Sequence, residues 1–244
     1  MTIVAPVSHE ASPRVISGAR NRGHTLFYRT MTIVSVLVVL IGFGPTYYFK
    51  PIMTSPALPM LTHLHGAVFT AWLLLFGLQT TLVARHRTDI HRRLGLFGGV
   101  LAVAMIALGL TMTLVRARRG DIGGFADAQT LAAFEFGDMA IFAMLIGAAL
   151  YRRRQPETHK RLMLLATVSL LIAALGRWPV VGGGLSLLPY VILVLIGPIY
   201  DRLTTGHIHR AYLWGAPLVI VSVPVRIALG GTGIWHRVFD AFVG

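Results

Sequence analysis

Apolar residues dominate seven stretches of the chain, each of roughly the 20 positions that a helix needs to cross a hydrocarbon core of about 30 Å, and polar residues collect between them. The stretches are residues 31–49, 61–84, 94–115, 131–151, 161–180, 185–200 and 211–229. In hydrocarbon every backbone N–H and C=O must be satisfied inside the protein, so runs of this length predict helices. The expected fold is all-α, an integral membrane bundle of seven transmembrane helices. The sixth run is the shortest and carries Pro189 and Pro198, so its ends are the least defined.

The runs divide the chain into a basic tail over residues 1–28, expected to be disordered or to lie on the lipid surface, a seven-helix domain over 29–230, and a short external segment over 231–244. No A-x-A cleavage pattern follows the first run before Lys50 and Pro51, which predicts a retained helix and not a removed signal peptide.

Composition agrees with the pattern. Hydrophobic residues make up 55% of the 244, charged residues 13%, and the mean hydropathy is +0.70, all outside the range of a soluble domain. The formal charge of +13 would point to nucleic acid in a soluble protein. Here the basic residues lie in short loops, where they orient the chain and meet anionic lipids, so no nucleic-acid partner is expected. Fifteen of the 22 Lys and Arg fall on the side of the N-terminus and seven on the other. The positive-inside rule then puts the N-terminus in the cytoplasm and the C-terminus outside, in a bacterial inner membrane. Arg116, Arg118 and Arg119 run against that trend. There is no cysteine, so any metal must sit on nitrogen and oxygen.

Candidate chemistry concentrates at the two ends of the bundle. Three loops on the N-terminal side carry His86 and His91, His159, and His207 and His209, with Asp89, Glu157 and Asp201 beside them. Imidazole and carboxylate suit iron or zinc, and haem can be held between histidines such as His91 and His159 or His209. The expected ligands are His91, His159 and His209, with His86 and Asp201 as further ligands or as partners that orient an imidazole. Loop histidines also solvate, cap helices or meet lipid phosphates, and that reading stays open.

On the other side, His65, Glu135 and Arg226 lie three or four residues inside their runs, roughly 5 to 6 Å deep at 1.5 Å per residue. Arg177 is at a similar depth, and Asp138 follows Glu135 one turn deeper on the same helix face. His63 and His65 are two apart and point to opposite sides, so His65 is the one expected to face the bundle. These five groups, Arg177, Arg226, Glu135, Asp138 and His65, are either a pocket for an anionic or quinone head group or ion pairs that tie helices together.

The segments GFGPTYYFKP, LHGAVFTAWLLLFGLQTTLVARHRTDIHRRLG, ETHKRLMLLATVSLL and YDRLTTGHIHRAYLWG, about half of the chain, resemble a group of uncharacterised bacterial polytopic membrane proteins. The resemblance implies a membrane fold and no particular activity. HRTDIH is similar to the first histidine box of membrane fatty-acid desaturases and hydroxylases, in which cytoplasmic histidines hold two irons. The later HxxHH boxes of that family have no counterpart here.

Three functional classes follow. The first is a metal- or haem-dependent oxidoreductase acting on a quinone or acyl chain. The second is a proton-coupled carrier using His65, Glu135 and Asp138. The third is a non-catalytic accessory subunit that packs beside a larger respiratory or biosynthetic membrane complex, and a homo-oligomer is a further possible assembly.

Overall fold

The structure, a computed structural model, describes residues 13–50 and 57–243, with side chains from residue 23 onward. Every regular element in it is helical. In chain order these are α1 (Pro13–Phe43), continued by a π turn at Gly44–Tyr48, then α2 (Met60–Ala84), α3 (Thr88–Arg118) and α4 (Ala128–Tyr151). The chain goes on through α5 (Pro156–Ser169), a short α6 (Ile172–Leu175), a 3-10 turn at Gly183–Ser186, α7 (Leu187–Thr205), α8 (Arg210–Gly230) and α9 (Gly233–Val243).

Seven helical stretches are long and apolar enough to cross a membrane: Gly23–Tyr48, Met60–Ala84, Thr88–Arg118, Ala128–Tyr151, Pro156–Leu175, Gly183–Thr205 and Arg210–Gly230. Each contains most of one of the seven apolar runs. Helix α1 begins at Pro13, so it reaches into the segment expected to be disordered or to lie on the lipid surface. The expectation for residues 1–12 lies outside the described residues.

Helix α4 and the fifth span form the centre, with 56% and 67% of their apolar windows buried, whereas α2, at 11%, lies on the rim. Phe142 and Leu145 of α4, Leu165 of α5 and Val219 of α8 are fully enclosed at this centre. Helices α2 and α3 flank α4 on one side, α8 on the other, and α7 packs on α5 and α8. Leu74, Leu96, Val100, Ile192 and Val225 stand exposed on the outer surface, an apolar girdle that lipid covers and water would not.

The fifth span is not one helix. It breaks at Leu170 and Leu171, and the Ser169 carbonyl accepts a hydrogen bond from the buried Tyr190 hydroxyl at 3.1 Å. A carbonyl left without water at this depth would cost free energy, and α7 supplies the donor. Small residues let helices close up elsewhere. A Cβ on Gly42 would collide with the Ala174 carbonyl, and one on Gly230 would lie 2.8 Å from the Thr130 Cα. Of the two glycine groups in RRLGLFGGVLA and IALGL, only Gly109 of the second is this tight, against Met139, while Gly95 and Gly99 have no neighbour nearer than 3.9 Å.

Up-and-down topology puts the start of α1 and the α2–α3, α4–α5 and α7–α8 connections on one face of the bundle, called here the N-terminal face. The C-terminal segment expected to be short and external is helical. In α9, Trp235 and Phe239 turn toward Phe136 of α4, and the Trp235 ring N–H donates to the Gln129 carbonyl at 2.7 Å.

Candidate functional site

At the N-terminal face, α5 opens with Glu157 and Lys160 at its rim and Arg161 turned inward. Arg161 is 3% exposed, and its guanidinium grips Asp201 of α7 in a fork, Nε and Nη2 donating at 2.8 and 2.7 Å. The remaining nitrogen, Nη1, donates to the Glu157 carboxylate at 2.6 Å and to its backbone carbonyl at 2.8 Å. Asp201, 2% exposed, also accepts from the His209 backbone N–H at 3.2 Å. One buried ion pair thus ties α5 to the end of α7 and the start of α8, in the bidentate geometry that makes an arginine–carboxylate pair strong.

Above this floor lies an open cavity of about 1130 Å³. Its walls come from α1 (His24, Leu26, Arg29), the end of α2 and the turn after it (Val83, Ala84, His86), α5 (Glu157, Lys160, Arg161), and the end of α7 and the turn to α8 (Thr205, His207, His209). Each wall has a local cause. Phe27 stacks on Tyr200 at 3.9 Å and His24 meets the same ring edge-on at 5.6 Å, which fixes α1 against α7. His86 sits at φ 57° in the tight turn between α2 and α3, a left-handed conformation that histidine tolerates better than most side chains. Gly206, at φ 76°, ends α7, and His209 caps α8 by accepting from the Ala211 N–H through Nδ1 at 3.1 Å. Burial, and after it the Arg161 charge, lowers the His209 pKa below the ordinary histidine value, which keeps that nitrogen an acceptor.

The lining is basic. With Arg161 already paired to Asp201, Arg29 and Lys160 face one carboxylate, Glu157, which bridges Arg161 and Lys160. Arg29 makes no ion pair among the described residues. His24 Nδ1 is buried there with no hydrogen-bond partner.

The histidines and carboxylates expected as one ligand set are distributed over three places. His91 and His159 come together, ring centroids 6.4 Å apart. His209 and Asp201 belong to the Arg161 network, and His86 lines the far wall of the cavity. Among the described residues, no three His, Asp or Glu side chains are placed to hold one metal ion.

At the opposite face the five expected pocket residues separate: Arg226 and Asp138 pair with each other, Glu135 pairs with Arg116 from outside the set, and His65 and Arg177 stand apart. Arg226, 6% exposed, pairs with Asp138, donates to the Phe134 carbonyl at 3.0 Å and lies 4.4 Å from the Phe134 ring centre. Gly137 leaves the space through which the Arg226 side chain passes. Glu135 pairs with Arg116, which also donates to Asp121 at 2.8 Å. The Arg116 hydrogen bond holds the Asp121 carboxyl below its ordinary pKa. His65 is half-buried, stacked on Phe69 at 4.2 Å, with Nδ1 unpartnered. Arg177 covers the Phe43 ring at 4.7 Å. These ion pairs tie α4 to α3 and to α8, and neither Arg116 nor Arg226 is left free for a ligand.

Sequence reasoning singled out Asp201 but not its partner Arg161, and it passed over Arg29, Lys160 and His24 of the cavity wall. The available signal was Arg161 at the mouth of an apolar run, opposite an aspartate at the mouth of the next. Compared with protein-family models, with curated proteins and with solved structures, the chain matches none.

Proposed function

We propose that this chain is a multi-pass protein of the bacterial inner membrane, with its N-terminus and the basic cavity on the cytoplasmic side, and that the cavity binds the anionic head group of a lipid-soluble molecule. The observation that carries this reading is the wall chemistry: with Arg161 already held by Asp201, Arg29 and Lys160 stand against the single carboxylate of Glu157, and Leu26, Val83 and Ala84 share the lining. Cations at the mouth of an apolar bundle suit a carboxylate or phosphate on an acyl chain, because charge-assisted hydrogen bonds hold the head while the tail stays in lipid. Fifteen basic residues on this face against seven on the other support the cytoplasmic placement.

The test is binding of short-chain phosphatidate, a medium-chain fatty acid, inorganic phosphate and phosphatidylcholine to purified protein in neutral detergent. The two anionic amphiphiles bind, and Arg29→Gln with Lys160→Gln weakens them by about tenfold or more, since a tenfold loss is only ~1.4 kcal/mol. Inorganic phosphate binding as tightly as the amphiphiles would replace the lipid-soluble ligand by a free oxyanion. Equal binding of phosphatidylcholine, or affinity indifferent to both substitutions, would defeat the reading.

A redox role on a quinone or acyl chain needs a bound metal or haem, and the pairing of His91 with His159 is the observation that favours it. The carrier reading finds less support. Its carboxylates Glu135 and Asp138 are each occupied by an arginine.

A further inference from the structure

Two buried polar atoms without partners belong to residues joined by a hydrogen bond, outside the cavity lining: Nδ1 of His91 and Oε1 of Gln79. An unsatisfied polar atom in the interior costs roughly 1–3 kcal/mol, so two on touching residues call for a physical cause. The Gln79 amide is not free to flip. Its Nε2 donates to the His91 backbone carbonyl at 3.2 Å, which fixes Oε1 on the other side.

His159 approaches from α5. Its Nδ1 lies 2.9 Å from the Ala149 carbonyl, an acceptor only, so Nδ1 carries the proton and Nε2 is left as a bare lone pair. His91 Nδ1 is buried and makes no hydrogen bond. An imidazole tied to a carbonyl through one nitrogen and bare at the other is the state in which histidine ligates metals. The two rings stand at 82° with centroids 6.4 Å apart. Two imidazoles on one ion have centroids roughly 5 to 6 Å apart, from a metal–nitrogen bond of about 2.0–2.1 Å and a ring radius of about 1 Å. The observed separation lies just above that range.

We propose that His91 Nδ1, His159 Nε2 and Gln79 Oε1 form a binding site for a divalent first-row transition-metal ion. Two nitrogens and an amide oxygen without thiolate suit zinc, nickel, copper or cobalt, and exclude the all-oxygen preference of calcium and magnesium. A three-ligand site leaves a coordination position for water. The site is separate from the head-group cavity and does not rest on that reading.

The experiment uses full-length protein with no histidine tag, stripped with EDTA and titrated with CoCl₂ by visible d–d absorption, then with ZnCl₂ by calorimetry. One ion binds per chain. His91→Gln and His159→Gln each weaken it by about 100-fold, the scale that loss of even an orienting partner can reach. Gln79→Glu, which exchanges a neutral oxygen for an anionic one, tightens binding, a gain that misfolding cannot imitate. His86→Ala with His207→Ala, and Arg29→Gln with Lys160→Gln, leave it unchanged. Absence of stoichiometric cobalt or zinc, or wild-type affinity in either histidine variant, would overturn the site.

Discussion

Replacing Asp201 by Asn keeps the shape of the α5–α7 contact and removes its charge. Arg161, 3% exposed, would retain only Glu157, and the forked pair at 2.7 and 2.8 Å would lose its anion, as would the His209 N–H at 3.2 Å. Breaking one side of a buried ion pair costs about 3–5 kcal/mol, because the surviving charge stays where water cannot reach it. At ~1.4 kcal/mol per decade this raises the unfolding constant by two to three orders of magnitude or more. The measurement is reversible unfolding in mixed micelles, followed by Trp fluorescence, for the wild type, D201N and the paired change R161M with D201L. The paired change removes both charges together and recovers most of the loss. A D201N penalty below about 1 kcal/mol, or a paired variant as unstable as the single one, would refute the view that this pair holds the cavity floor.

Other consequences follow from individual contacts. The lowered His209 pKa means that the unfolded chain takes the proton first, so stability falls as pH drops through the ordinary histidine value near ~6.5 and levels off below the folded value. His209→Asn keeps an N-cap acceptor and makes the profile between pH 5 and pH 7 (roughly the histidine range) shallower than that of the wild type, read as thermal midpoints. Gly42→Ala forces α1 off the Ala174 carbonyl and costs about 1–3 kcal/mol, whereas Gly147→Ala, with open space around the new Cβ, is neutral or stabilising by up to ~1 kcal/mol. Tyr190→Phe leaves the Ser169 carbonyl at the break of the fifth span unpaired and lowers stability by about 1–3 kcal/mol in the same assay.

The seven spans were legible because hydrocarbon permits so few solutions: length and apolarity decide whether a stretch crosses, with no tertiary information needed. Boundaries were less so. Thr88–Arg118 extends past the apolar run at both ends because helical hydrogen bonding continues into the polar interface, where Asp89 lies in its first turn. The π turn at Tyr48 and the break at Leu170 depend on partners from other helices, Thr70 for the Tyr48 hydroxyl and Tyr190 for the Ser169 carbonyl, and no local pattern announces those. Helix α9 is too short to register as a span, and its packing through Trp235 and Phe239 becomes visible only once α4 is in place.

Site chemistry was legible as an inventory and not as contacts. Depth alone put His65, Glu135, Asp138, Arg177 and Arg226 at one level, but rotation about each helix axis decides who meets whom. That rotation gave Glu135 to Arg116 and Asp138 to Arg226. Arg116, one of the residues that run against the positive-inside trend, is held by Glu135 and Asp121.

The chain has no cysteine, so a single His207→Cys substitution gives one reporter in the cavity wall. The measurement is the rate of its modification by a membrane-impermeant maleimide in inside-out and right-side-out vesicles, with and without short-chain phosphatidate. The account predicts labelling only where the cytoplasmic face is presented, slowed by phosphatidate and not by phosphatidylcholine. Labelling from the outer side, or a rate indifferent to the anionic lipid, would contradict a cytoplasmic cavity that holds an anionic head group.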